Sequence, residues 1–140
     1  MAKDTQLSNA AANAEADALA RLLDNGYRRI YSGTKPATAD TALSGNTLLA
    51  ELRFANPSAP AASNGVLTFT LTADTSADNN GTATFYRDLK SDGTTVVMDG
   101  TVGSTGSTSN LELNTTTIVT GQQVAVTSAT HTVNKSTSGY

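Results

Sequence analysis

The spacing of apolar and polar positions changes once along this chain, near Tyr27. Before that point Ala12, Ala16, Leu19 and Leu23 recur at spacings of four, three and four, which marks one face of a helix. Ala18 and Leu22 widen the face. Ser8 or Asn9 is placed to cap it, with Leu7 before the cap as a staple residue. Asp24-Asn25-Gly26 stops it, and Gly26 suits the left-handed position that follows a C-cap. The face is mostly alanine, so it buries little per residue, and a lone helix of this length is marginal in water. It must dock on its own sheet, on a neighbouring subunit or on some other surface.

From Tyr27 onward the period is two. "YRRIYSG" is a short strand, and "TLLAELRF" sets Leu48, Ala50, Leu52 and Phe54 against Leu49, Glu51 and Arg53. "VLTFTLTA" alternates Leu67, Phe69 and Leu71 with Thr68, Thr70 and Thr72, the pattern of a half-buried strand. "TATFYRDL", "TTVVMD", "LELN", "TTTIVT" and "QQVAVTSATHTV" follow, separated by Gly-, Pro-, Asn- and Ser-rich turns. In the last of these the apolar parity switches near Thr127-Ser128, from Val124 and Val126 to Ala129 and Val133. A β-bulge or a bend between sheets would restore one inner face. About eight short strands with frequent turns and no intervening helices predict a mainly β fold: an antiparallel, jelly-roll-like β-sandwich with a short N-terminal α-helix. The expected organisation is an arm and helix over 1–26, the sandwich over 27–134 and a flexible polar tail over 135–140.

Composition narrows the functional classes. Charged residues are 15%, aromatics 5%, and Trp and Cys are absent. The core must therefore be light, and thiol or zinc-thiolate chemistry is excluded. The net charge is -3 and the only adjacent basic pair is Arg28-Arg29, so binding by phosphate neutralisation is not expected and nucleic acid is not a predicted partner. The N-terminal residues lack the apolar core of a signal peptide, and no run approaches the ~18 apolar residues of a membrane span. A membrane is not a predicted partner.

Two Asp-Gly pairs, Asp92-Gly93 and Asp99-Gly100, bracket a strand in "SDGTTVVMDG" and read as tight turns at its two ends. "DTSADNNG" fails the calcium-loop pattern, because Arg87 falls where a bidentate Glu is required. Arg87 and Asp88 read as surface or ion-pair residues. His131, the only histidine, shares parity with Ala129 and Val133 and points to the core or an interface. "GSTGS" lacks the nucleophile elbow. No catalytic residue, cofactor-binding residue or metal ligand is predicted, and no enzyme activity. Leu19, Leu23, Arg28 and Arg29 are the apolar and basic groups nearest the helix–strand junction, and are expected near a subunit or partner contact.

Four stretches, "IYSGTKPATAD", "LLAELRF", "ADNNGTATFYRDLKSDGTTVVMDGTVG" and "TTTIVTGQQVAVTSATHTV", resemble in their order a group of small phage and prophage proteins. That group includes the head decoration, or cement, proteins of tailed bacteriophages. Ala129 and His131 stand where the family pattern implies larger apolar side chains. The resemblance implies a jelly-roll domain made in the host cytoplasm and bound to the outer surface of the capsid in the virion. Its partners would be the major capsid protein and a second copy of itself, with a homodimer favoured and a trimer possible. The alternative is a tail or baseplate adhesin that binds host-surface carbohydrate, for which Tyr27, Tyr31 and Tyr86 are the available aromatic groups.

Overall fold

The computed structural model describes residues 3–136. Helix α1 (Asn9–Leu23) is capped by Ser8, whose Oγ accepts from the Ala11 N–H at 3.1 Å. Ala12, Ala16, Ala20 and Leu23 are fully buried and Leu19 is half-buried, so the stripe read from the sequence docks, but it widens toward Ala20 and not toward Ala18 and Leu22, which are exposed. Its partner is the chain's own domain. Asn13, Asp17 and Asp24 accept from the N–H groups of Gly65, Ala62 and Ser58, and the Ser58 hydroxyl donates to Ala20 O. The helix stop differs from expectation in one detail. Asn25, with φ 57°, takes the left-handed conformation, whereas Gly26 is needed because a Cβ there would lie 2.3 Å from Leu89 O.

The strands are β1 (Tyr27–Tyr31), β2 (Leu48–Phe54), β3 (Val66–Thr68), β4 (Leu71–Thr72), β5 (Gly81–Thr82), β6 (Phe85–Leu89), β7 (Val96–Ser104), β8 (Leu111–Leu113), β9 (Thr117–Ile118) and β10 (Val126–Thr132). Eight form one sheet in the order β3-β10-β8-β7-β6-β1-β2-β4, and β5 pairs with β9 separately. The two ends of that sheet, β3 and β4, are separated in sequence only by Phe69 and Thr70. Phe69 N–H donates to Ala129 O on one side, and Thr70 O accepts from Ala55 N–H on the other. One chain segment therefore draws both ends together, and the sheet curls until its halves face each other as the layers of a sandwich. The mainly β fold with an N-terminal helix is as expected. Among the described residues all strand pairings but one are antiparallel; the exception is β7 with β8, which run parallel. The short return through 105–110 suffices because β8 overlaps only the end of β7. Glu112 holds that loop by accepting from the N–H groups of Gly106 and Thr108.

The core lies between the layers. Ile30, Leu52 and Phe54 meet Leu67, Leu111, Leu113 and Ala129, and α1 closes one side with Ala16, Ala20 and Leu23. The parity switch in β10 is a register shift between Val126 and Ser128, as the sequence required. The outer face of β6 is also covered. Residues 33–46 cross it as a strap, with Thr84 Oγ1 donating to Gly33 O at 2.6 Å and Arg87 Nη2 to Thr41 O at 2.7 Å. The N-terminal arm meets the start of the tail, where Leu7 N–H donates to Lys135 O and Gln6 bridges Ser136; residues 137–140 of the tail lie outside the described residues.

Phe69 sits on the closing segment and packs edge-on against Phe54, with ring centroids 5.2 Å apart. Phe69→Ala is expected to cost about 3–5 kcal/mol in urea unfolding. Leu71→Ala, at a half-buried position on the same segment, should cost distinctly less.

Candidate functional site

The adjacent pair Arg28-Arg29 lies on β1, so its two side chains leave the sheet on opposite faces. Arg28 points inward, opposite Asp88 of β6 and Leu52 of β2. Its Nε and Nη2 donate to the two carboxylate oxygens of Asp88 at 2.8 and 2.7 Å, and both residues are essentially inaccessible to solvent. The guanidinium lies 3.9 Å from the Tyr86 ring centroid, 5.3 Å from that of Phe54 and 5.4 Å from that of Phe69. Its Nη1 is buried without an acceptor among the described residues. Aromatic faces carry negative potential and partly compensate that loss. Burial opposes the charge on Arg28, but the Asp88 charge and hydrogen bonds outweigh it and hold the pKa above its ordinary value. Burial pushes the Asp88 carboxyl upward, with Arg28 pulling the other way.

Arg29 points outward. Across four strands the outer face carries the row Glu51, Arg29, Arg87 and Asp99, in register. Arg29 Nε donates to Glu51 at 2.7 Å, and Arg87 meets both oxygens of Asp99 at 2.7 and 2.8 Å. The two like charges at the centre of the row are thus each matched by a carboxylate at its end. Next to them, Tyr31 stacks on Phe85 with centroids 5.4 Å apart, beneath the strap.

The two Asp-Gly pairs do different things. Asp92-Gly93 is the expected turn: Gly93 has φ 73°, and the Asp92 carboxylate accepts from the N–H groups of Thr94 and Thr95 and from the Thr95 hydroxyl. Those bonds hold its pKa well below the usual carboxylate range. Asp99-Gly100 is not a turn, which corrects the sequence reading. It lies in the middle of β7, with Asp99 paired to Arg87, and Gly100 is required because the Tyr86 ring fills the space a Cβ would take, at 2.3 Å. Among the described residues no group of three potential metal-ligating side chains comes together.

The four residues expected at a contact separate. Leu23 and Arg28 are buried inside the chain, which removes both from any surface contact, because the helix docks on its own sandwich and Asp88 draws Arg28 into the interior. Leu19 packs partly against the core, and Arg29 is half-buried in its pair with Glu51. The structure adds Arg53, directly opposite Tyr27 in the β1–β2 ladder. Its guanidinium lies 4.3 Å from the Tyr27 ring centroid, and its Nε donates to Asn25 O at 3.0 Å. The alternation of β2 places Arg53 outward; the pairing with Tyr27 needed the strand register. His131 pairs with Leu67 and is half-buried, and burial first, then the Arg28 charge, lowers its pKa below the ordinary value.

Asp88→Asn leaves Arg28 buried and unmatched, and is expected to cost about 3–5 kcal/mol in denaturant melts, most of it recovered when Arg28→Met and Asp88→Leu are combined. For His131 the folded pKa is the lower one, so on acidification the unfolded chain takes up the proton first. Its contribution is fully present above the unfolded value of 6.5 and is lost as pH falls from there toward the folded pKa. Melts at about pH 7.5 and 5.5 should show this loss, and His131→Asn should flatten it. Comparison with protein-family models, curated proteins and solved structures finds no match.

Proposed function

We propose that the chain is a structural virion protein that binds the outer surface of a tailed-phage capsid and cements the shell. The starting point is the ordered resemblance to head decoration proteins. The observation that best supports it is how the chain uses its charge. Arg28–Asp88, Arg29–Glu51 and Arg87–Asp99 cross-link neighbouring strands of one curled sheet. The pairs brace the domain itself, and the exposed strand positions are largely threonine, such as Thr68, Thr72, Thr101 and Thr130. A cement protein works by stiffness and by many repeated weak contacts, and multivalent attachment multiplies those contacts. It acts as a homo-oligomer, for which a two-fold dimer is the commonest closed form.

Deleting α1 does not test this role, because the helix is part of the core. The test uses whole protein and expanded heads purified without it. Addition is expected to saturate the heads at a fixed stoichiometry and to restore their resistance to heat and osmotic shock. Heads that neither bind the protein nor gain resistance would end the proposal.

A further inference from the structure

We propose that Arg53, held over Tyr27 at the exposed corner of β1 and β2, is a socket for a carboxylate on the partner protein's surface; as to the partner, this rests on the shell-binding reading above. The chain has five arginines, Arg21, Arg28, Arg29, Arg53 and Arg87. Four of them meet a carboxylate of the same chain: Asp24, Asp88, Glu51 and Asp99 respectively. Arg53 is exposed and, among the described residues, has no carboxylate within ion-pair distance.

Arg53 is nonetheless held in place. Its Nε donates to Asn25 O, and its guanidinium lies on the Tyr27 ring. The acceptor is itself fixed: Asn25 sits in the left-handed turn that ends α1, and its N–H donates to Ala55 O. An arginine with Nε tied and its guanidinium over a ring has already given up much of its rotamer freedom, so a ligand need not supply that ordering. The edge left over is the Nη1/Nη2 pair, whose planar spacing matches the two oxygens of a carboxylate.

The surroundings favour one carboxylate over a polyanion. Arg29 lies near the same ring, at 5.6 Å, but is already matched by Glu51 and donates to Gly93 O. The Asp92 carboxylate is occupied by its own turn. Phosphate-rich ligands need several unmatched cations together, whereas here the neighbouring Arg29 is already matched and the chain's net charge is -3.

The test compares wild type, Arg53→Lys, Arg53→Gln and a control, Arg21→Lys, for affinity to expanded heads and for melting temperature. Arg53→Lys keeps the charge and the stem but loses the fork. It is expected to weaken binding about tenfold or more with an unchanged melting temperature, while Arg21→Lys binds as wild type. If wild type binds heads and both Arg53 variants bind equally well, the socket is wrong and the cement reading stands. If wild type does not bind heads, the cement reading fails, and an immobilised hexaglutamate peptide decides the socket alone. Retention that Arg53→Lys abolishes supports it, and no retention, or equal retention, overturns it. Release from heads by free N-acetylneuraminic acid, but not by hexaglutamate, overturns the assignment to a protein partner in favour of an acidic sugar.

Discussion

The structure depends on one buried ion pair. Arg28 and Asp88 face each other across adjacent strands, out of contact with water, beside a core of Ala, Val, Leu, Ile and aromatic side chains. Taking two charges out of water is costly, and only close bidentate geometry offsets much of that cost. The pair therefore admits one register of β1 against β6. A slip by one residue would turn Arg28 to the outer face and leave Asp88 alone inside. Phe69 shares this constraint. Its ring sits against Arg28 while its N–H holds β10, so closing the curled sheet and covering the guanidinium are the same event.

The period of two lets a single dipeptide serve both faces. Arg28 matches Asp88 in the interior, and Arg29 matches Glu51 outside. The neighbouring strand β6 repeats the device in reverse order, with Arg87 outward to Asp99 and Asp88 inward to Arg28. Every residue of β6 is buried as a result, its inner face by the core and its outer face by the strap. A strand of the sequence Phe-Tyr-Arg-Asp-Leu is stable at the centre of a sheet only because each of its charges has a partner directly opposite on a neighbouring strand.

The parts legible in the sequence were those carried by local pattern. The alternation over 66–72, the central stripe of α1 and the parity switch in β10 each depend on residues a few positions apart and appear where they were read, although Ala18 and Leu22 are exposed and the single strand expected over 66–73 is split into β3 and β4. Long-range pairing was not legible. Nothing near Arg28 in sequence points to Asp88, so an adjacent basic pair reads as surface when half of it is core. Asp99-Gly100 misled for a similar reason. Glycine serves both tight turns and close approaches, and the ring of Tyr86 that demands the second use lies fourteen residues away in sequence. The parallel β7–β8 pair was hidden because so short a connection ordinarily signals a hairpin.

A chain with few aromatics and much Ala and Thr has little apolar area with which to fix a unique structure. Here Phe54, Phe69 and Tyr86 surround one guanidinium, and Tyr31 and Phe85 stack beside the outer charge row. Each ring is thus placed against a charged group or another ring, where its geometry is most restrictive. The ion pairs add directionality that a core of small residues lacks. Since this bracing lies inside the sandwich and under the strap, the exposed strand faces are left free of structural duty. Against that background Arg53 stands apart: it is ordered by the same means as Arg28, by an aromatic face and a fixed hydrogen bond, yet it is turned toward solvent.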